Sequence, residues 1–154
     1  MTVMKSDIIP LSPSDFEKCR NIWDFESHGD LAQKCYRELL SGNRITYVYT
    51  DDGEFIGEIS IVKDRGDPED TIFGQRVYLS RLIVKDEYRR QGIGRKLLYH
   101  VFLKAKEQGY KEISVGVDLA NYPALKLYSQ AGFDKIIFIG EDEYGKYVKL
   151  LKQL

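Results

Sequence analysis

One short stretch of this chain, residues 88–96, joins a strand-like pattern to a helix-like pattern and contains two glycines. It reads Tyr-Arg-Arg-Gln-Gly-Ile-Gly-Arg-Lys. The apolar run before it, from Val77 to Val84, suits a strand, and the residues after it have helical apolar spacing. Glycine lets backbone N–H groups approach a ligand closely, and a helix start has unpaired N–H groups and a partial positive charge. With its flanking arginines, this stretch predicts a phosphate-binding turn.

Two common phosphate loops do not fit this glycine spacing. A dinucleotide fingerprint needs a third glycine three residues after Gly94, and a P-loop needs serine or threonine after Lys96; Leu97 stands at both positions. What is left is Arg-x-x-Gly-x-Gly, which resembles the pyrophosphate-binding motif of the GNAT superfamily of N-acetyltransferases. Enzymes of that family use acetyl-coenzyme A (acetyl-CoA). The alternative interpretation is a basic helix start that happens to contain a glycine turn.

A second segment, residues 121–133, resembles the downstream signature of the same family, Asn-x-x-Ala-x-x-x-Tyr-x-x-x-Gly-Phe. The segment also predicts a helix, because Pro123 suits a first helical turn and Gly132 suits a left-handed helix end. Asn121 and Tyr128 are about two turns apart and can lie near one edge of that helix. Taken alone, Asn121 would be a helix cap and Tyr128 a core tyrosine. The presence of both motifs, in the order typical of the family, favours functional roles for Asn121 and Tyr128.

The composition narrows the class of protein. A chain of 154 residues fits one domain, expected over 1–154, and can bury a real core. A net charge of −1 argues against a nucleic-acid binder. No apolar run approaches the length of a membrane span, and Met1 to Asp7 lack the apolar stretch of a signal peptide. We therefore expect a cytoplasmic protein with neither a nucleic-acid nor a membrane partner.

The two cysteines, Cys19 and Cys35, are expected to pack in the core. A cytoplasmic location disfavours a disulfide between them. No cysteine or histidine cluster has the spacing of metal ligands, so no metal is expected.

The order of predicted elements is β-α-α-β-β-β-α-β-α-β-β, which is the usual order of the GNAT family. The resemblance therefore implies an α/β (α+β) GNAT fold: a mixed central sheet of about seven strands with a splayed central pair, flanked by about four helices. The predicted elements are the strand Ile8–Leu11, a helix that starts at Ser12 and runs through Trp23, the helix Leu31–Leu40, the strands Ile45–Thr50, Phe55–Val62 and Ile72–Val84, the helix Gly92–Gln108, the strand Glu112–Leu119, the helix Pro123–Ala131, the strand Phe133–Ile139, a loop over 140–146, and the strand Tyr147–Leu151.

The long strand before the glycine turn changes its alternation phase near Ser80-Arg81. Such a slip suggests a β-bulge, which leaves backbone groups unpaired. In the family, a bulge here splays this strand from the next, and the gap receives the pantetheine arm of the cofactor. The alternative is that both faces of the strand are buried, because Ile83 is apolar too. In that case the change of alternation phase does not indicate a bulge.

The resemblance also assigns site residues. Acetyl-CoA would bind the backbone of Leu82, Ile83 and Val84 on the long strand, with a backbone N–H near Leu82 polarising the thioester carbonyl. Tyr128 would act as the general acid for the departing thiolate, because a phenol holds its proton at neutral pH. Direct attack by the amine, without a covalent enzyme intermediate, fits the family. The remaining cofactor-binding residues implied are Arg89, Arg90, Gln91, Gly92, Ile93, Gly94, Arg95, Lys96 and Asn121.

The sequence identifies the general base less clearly than the cofactor-binding residues. Glu58 lies mid-strand, out of phase with Ile59 and Ile61, and is our candidate; a solvated strand charge is the alternative. Tyr78, Asp118, a water chain, or a substrate whose pKa is already lowered are further options. Some family members carry a glutamate two residues before the position of Asp118, but this chain has Gly116 there.

The resemblance implies a small-molecule or peptide amine as the acceptor, and it leaves open whether the chain forms a homodimer. In the family, the acceptor pocket is built by the two N-terminal helices and by the loops before the long strand and before the last strand. The leading function is acetyl-CoA-dependent transfer of an acetyl group to a primary amine. A non-catalytic acyl-CoA sensor on the same fold and a protein that binds another anion at 89–96 are the alternatives. Residues in the acceptor regions are Trp23, Phe25, Glu26, His28, Tyr36 and the acidic run Glu141-Asp142-Glu143.

Overall fold

The computed structural model describes residues 5–154 and contains seven β-strands and three α-helices in that range. The strands are β1 (Ser6–Pro10), β2 (Arg44–Asp51), β3 (Glu54–Val62), β4 (Arg76–Val84), β5 (Glu112–Asp118), β6 (Lys135–Asp142) and β7 (Gly145–Gln153). The helices are α1 (Gly29–Ser41), α2 (Ile93–Glu107) and α3 (Tyr122–Gln130), and 3₁₀ segments occupy Pro13–Asn21, Glu26–His28 and Asp86–Tyr88.

The strands form one seven-stranded mixed sheet in the order β1-β2-β3-β4-β5-β7-β6. β4 and β5 are parallel over Arg76–Tyr78, whereas β1 with β2, β5 with β7, and β6 with β7 are antiparallel. This sheet, with three α-helices and the nine-residue 3₁₀ helix Pro13–Asn21, confirms the predicted GNAT fold class. Within residues 5–154, no helix is both long enough and apolar enough to cross a membrane.

The residues group into two compact units. The first comprises the described residues through Ile61 together with Ser80–Val101, and the second comprises Val62–Leu79 and Phe102–Leu154. Each unit is described by itself below.

The core of the first unit lies around the N-terminal segments and β2. Helix α1 ends at Gly42, whose φ of 82° provides the left-handed cap that glycine favours. Both cysteines are free thiols in this core, as expected from the sequence. The buried residues that cluster here are Leu11, Phe16, Cys19, Ile22, Phe25, Ala32, Cys35, Leu39, Val48 and Phe55.

In the second unit, the antiparallel pair β6–β7 packs beside β5, and the ladder from Glu112 to Asp118 pairs completely with β7. Helix α3 buries Tyr128, whose ring meets Phe133 edge-on at 5.5 Å between centroids. Phe133 in turn lies 5.8 Å from Phe102. These aromatic contacts fix the orientation of α3 within its unit.

Several predicted bounds are shifted by two or three residues, and three predicted elements differ more than that from the structure. The first predicted helix is a 3₁₀ helix, Pro13–Asn21. Strand β4 begins at Arg76 instead of Ile72, because Gly74, at φ 69°, turns the chain, and Ile72 bridges back to Arg76. The polar loop expected over 140–146 is a tight turn, since backbone pairing of β6 with β7 extends through exposed residues that the hydrophobic pattern does not reveal.

The predicted irregularity in the long strand is present. Arg81 has φ 61°, a left-handed conformation that costs a non-glycine residue about 1–2 kcal/mol. The phase slip near Ser80-Arg81 therefore reflects a real break in the extended backbone of β4.

Candidate functional site

The glycine turn leads from β4 into α2 in the first unit. Arg90 and Gly92 both adopt left-handed backbone conformations, with φ of 65° and 79°. The Lys96 N–H donates to the Gly92 carbonyl at 3.0 Å, which starts the helical pattern. The N–H groups of Gly92, Ile93 and Gly94 therefore have no acceptor within the helix. Alternating left-handed residues before a helix start form a concave backbone surface suited to an anion.

Gly94 is not required by packing inside the protein. A Cβ at this position would meet only Val84 Cγ2, at 3.9 Å, which is an ordinary contact. Glycine at a helix start lowers helix stability relative to alanine. The missing side chain therefore makes physical sense as space for a ligand that approaches the backbone closely.

The basic side chains of the turn are mostly exposed. Arg89 has two partners within the protein: its Nε donates to the Val84 carbonyl at 3.2 Å, and its guanidinium pairs with Asp86 at 3.0 Å. This arrangement ties Arg89 to the end of β4, whereas Arg90 and Lys96 extend into solvent. The surface around the turn is therefore positively charged, as a phosphate site requires.

Glu58 lies on β3 in the first unit and is buried, with 6% of its surface exposed. The solvated alternative considered for this residue is therefore wrong. The Trp23 indole N–H donates to Glu58 Oε1 at 2.5 Å. Burial raises the pKa of the Glu58 carboxyl to about 7, although Arg81, the Trp23 hydrogen bond and Arg44 each act to lower it. A carboxyl with this pKa can take up a proton near neutral pH.

Two arginines lie beside this carboxyl. Arg81 stacks on the Trp23 ring, with its guanidinium carbon 4.4 Å from the ring centroid. Arg44 is 5% exposed and donates to Ser80 Oγ at 3.2 Å and to Glu38 Oε1 at 3.4 Å. The positive charge of these arginines limits how far burial can raise the pKa of Glu58.

Two of the clefts within the first unit are lined by residues that the sequence analysis assigned to the acceptor site. One, of about 460 Å³, is lined by Trp23 and Asp24 and by the predicted cofactor residues Ile83, Val84 and Arg89, among others. The other, of about 470 Å³, lies against the 3₁₀ helix and α1, and its lining includes Phe25, Glu26 and Tyr36. Both volumes are in the range of small-molecule sites. Trp23 therefore borders one of these clefts, and Phe25, Glu26 and Tyr36 border the other.

In the second unit, Tyr128 is 9% exposed. Burial raises the pKa of its phenol to about 12, and the nearby Tyr78 adds to this effect. The phenol is therefore fully protonated at neutral pH, which is the state that a proton donor needs.

Asn121, also in the second unit, caps α3: its side chain accepts a hydrogen bond from the Ala124 N–H at 3.2 Å. The helix-cap interpretation is thus correct for this residue. Its exposed position is compatible with a second contact to a ligand.

The other candidate bases, Tyr78 and Asp118, also lie in the second unit. A Cβ at Gly116 would lie 3.0 Å from the Tyr78 hydroxyl, so the Tyr78 phenol occupies the space beside the position where some family members have a glutamate. The Arg65 guanidinium lies 4.0 Å from the Tyr78 ring centroid. Asp118, at the end of β5, is exposed.

The first unit therefore brings together the glycine turn, residues 82–84 and Glu58, and the second contains Asn121, Tyr128 and Tyr78. Sequence reasoning missed two contacts: the stacking of Arg81 on the Trp23 ring, and the hydrogen bond from Trp23 to Glu58. Arg81 entered the sequence analysis only through the change of alternation phase. The available signals were weak: a single tryptophan and an arginine at a predicted bulge.

A model of the Acetyltransferase (GNAT) family matches residues 9–133 of the chain. N-acetyltransferase family 8 member 3 of Rattus norvegicus is 31% identical over 108 residues, which are 70% of this chain and 46% of that protein. Human N-acetyltransferase 8 is 37% identical over 65 residues, or 42% of this chain and 29% of that protein. The chain thus spans less than half the length of these two relatives.

Solved structures of low sequence identity share the fold. A GNAT family acetyltransferase from Elizabethkingia anophelis with acetyl-CoA bound has a TM-score of 0.74 at 19% identity and covers 97% of this chain and 98% of its own. Aminoglycoside 6'-acetyltransferase type Ii has a TM-score of 0.74 at 20% identity over 96% of each chain.

Proposed function

Because this chain belongs to the Acetyltransferase (GNAT) family, we propose that it is an acetyl-CoA-dependent N-acetyltransferase that acts on a primary amine. The acceptor is a small molecule or a peptide amine. The observation that favours this function most is the glycine turn, where Gly94 leaves space that packing does not require.

In this proposal, acetyl-CoA supplies an acetyl group activated as a thioester. The N–H groups over residues 91–96 hold its pyrophosphate, and Arg89 and Arg90 add positive charge. The backbone of residues 82–84 and Asn121 provide the other cofactor contacts. The solved relative from Elizabethkingia anophelis, which has acetyl-CoA bound, supports the choice of donor.

Proton transfers are assigned to two side chains. Glu58 takes a proton from the acceptor ammonium, directly or through water, and its pKa of about 7 suits this task. Tyr128 gives a proton to the departing thiolate, since its pKa of about 12 keeps the phenol protonated until a strong base forms beside it. A backbone N–H near Leu82 polarises the thioester carbonyl.

The proposal is tested by thiol release from acetyl-CoA with a panel of primary amines. We expect release that depends on both the amine and the enzyme, with an N-acetylated product confirmed by mass spectrometry. The panel includes polyamines, amino acids, an aminoglycoside and a peptide with a free N-terminus. CoA binding without turnover on any of them would instead indicate the non-catalytic sensor.

Glu58→Gln is expected to lower turnover by roughly 10²-fold near pH 7, because it keeps the shape of the side chain and removes its basicity. The loss should be largest at low pH and partly recover at high pH, where free amine is abundant. Wild-type turnover should rise as the pH passes the pKa of Glu58, about 7, since only the ionised carboxylate accepts the proton.

The measurement is a pH–rate profile of both proteins. Tyr78→Phe and Asp118→Asn serve as parallel variants at the other candidate bases. A wild-type-like profile for Glu58→Gln would assign the proton transfer to one of those residues or to solvent.

A further inference from the structure

Trp23 is the single tryptophan of the chain, and its side chain makes two specific contacts in the first unit. Its indole N–H donates to Glu58 Oε1 at 2.5 Å. Its ring lies under the Arg81 guanidinium, 4.4 Å from centroid to carbon. One indole therefore contacts the buried carboxylate through its N–H edge and the Arg81 cation through its π surface.

The backbone at Arg81 supports a specific arrangement. Its left-handed φ of 61° is unfavourable for arginine and departs from the extended backbone conformation of the rest of β4. Strained residues persist where the surrounding structure fixes them, and they are enriched at functional sites. Stacking on Trp23 is one contact that holds this side chain.

Other charged and titratable groups also surround the carboxylate. From β2, Arg44 acts on Glu58 and is itself paired with Glu38 of α1. Cys19 of the 3₁₀ helix and Cys35 of α1 interact with it, and burial raises the pKa of both thiols, which keeps them neutral. His28 meets the Trp23 ring edge-on at 6.4 Å.

We propose that Trp23 is a positioning residue for Glu58, and that Arg81, stacked on the same indole, completes a clamp that orients the carboxylate for proton transfer. This inference rests on the proposed function of Glu58 as the base. The indole N–H occupies Oε1, which leaves Oε2 to take the proton. The clamp also opposes the effect of burial, because a hydrogen bond and a nearby cation both favour the ionised carboxylate.

The clamp can be tested without any acceptor, because the emission of the lone tryptophan reports on the group bonded to its N–H. We expect Trp23 fluorescence of the wild-type protein to change with pH around a midpoint near 7. Glu58→Gln should abolish this transition. His28→Gln should retain it, which excludes the imidazole as its source.

Arg81→Gly is the second variant, since glycine tolerates the left-handed backbone while the change removes the side chain with its guanidinium. Its fluorescence midpoint should move upward by about one pH unit, because a cation that favours the carboxylate is lost. A transition that is absent in wild-type protein, that survives in Glu58→Gln, or whose midpoint Arg81→Gly leaves unchanged would overturn the clamp.

Trp23→Phe gives the kinetic test, since it keeps an aromatic ring and removes the indole N–H. The apparent pKa on the acid side of the kcat profile should rise by about one pH unit. At pH values below this apparent pKa, kcat should therefore be about tenfold lower than in the wild type. At high pH, kcat should be unchanged. In the Glu58→Gln background, the same change should have no further pH-dependent effect. Phe55→Leu, which alters a buried ring in the core cluster against which Trp23 packs, is the packing control and should not move the profile.

The two proposals fail separately. If no amine is acetylated, the proposed function fails, while the fluorescence titration still measures the clamp. If amines are acetylated but Trp23→Phe leaves the acid side of the profile in place, Trp23 has only a packing role.

Discussion

Replacing Gly94 by aspartate is expected to abolish CoA binding, with a dissociation constant raised by at least about 100-fold, equivalent to about 2.7 kcal/mol. The new carboxylate would stand at the start of α2, where the backbone N–H groups are proposed to hold the pyrophosphate. It would both fill that space and repel the negative charge of the ligand. Isothermal titration calorimetry with CoA measures the change directly.

The protein itself should accept this substitution. A Cβ at Gly94 has only Val84 Cγ2 near it, at 3.9 Å, and an acidic residue in a first helical turn is favourable for the helix. The melting temperature of Gly94→Asp should therefore stay close to that of the wild type. Gly94→Asn is the neutral control of the same size, and it separates steric block from charge repulsion.

Gly92 offers a second site with a different constraint. Its φ of 79° means that any side chain also strains the backbone, and asparagine tolerates that conformation better than most residues. Gly92→Asp compared with Gly92→Asn therefore isolates the effect of charge. Unchanged CoA affinity in both aspartate variants would show that the phosphate site lies elsewhere.

Tyr128→Phe is expected to lower turnover by roughly 10²-fold or more if proton transfer limits the rate, with little change in CoA affinity. The phenylalanine keeps the edge-on contact with Phe133 and loses only the hydroxyl. A phenol with a pKa of about 12 is a proton donor at every pH where the protein would be assayed, so the deficit should not depend strongly on pH.

Tyr122→Phe is a matched control on the same helix, because Tyr122 is 75% exposed. It should leave turnover unchanged. Steady-state kinetics of both variants, with CoA affinity measured in parallel, distinguish a chemical role from a binding role. Turnover of Tyr128→Phe equal to that of the wild type would reduce Tyr128 to a packing residue.

Family and fold class could be predicted from the sequence because they depend on local information. The glycine turn needs only neighbouring residues to make a helix start with accessible N–H groups, and hydrophobic periodicity identifies most strands and helices without reference to distant contacts. The slip of phase at Ser80-Arg81 is likewise local, and Arg81 at that place has a left-handed backbone, with φ 61°. The roles of Glu58 and Tyr128 in catalysis stay predictions.

Local patterns were misleading where long-range pairing decides the structure. The polar residues Glu141 and Asp142 read as a loop, but their backbone groups pair with β7 regardless of side-chain exposure. The apolar Ile72 read as strand, but the turn at Gly74 directs it into a bridge with Arg76.

The sequence by itself determined that this chain belongs to the GNAT acetyltransferase family and has a glycine turn at 89–96 that leads into a helix, because a turn and a helix start are made by consecutive residues. Only the tertiary structure decided the state of Glu58. Alternation on β3 predicts the direction of its side chain, but its burial, its bond to Trp23 and the nearness of Arg81 depend on residues 35 and 23 positions away that meet it only after folding. The pKa of a carboxyl is set by this surrounding solvent, charge and hydrogen bonding, and none of these is a property of the local sequence.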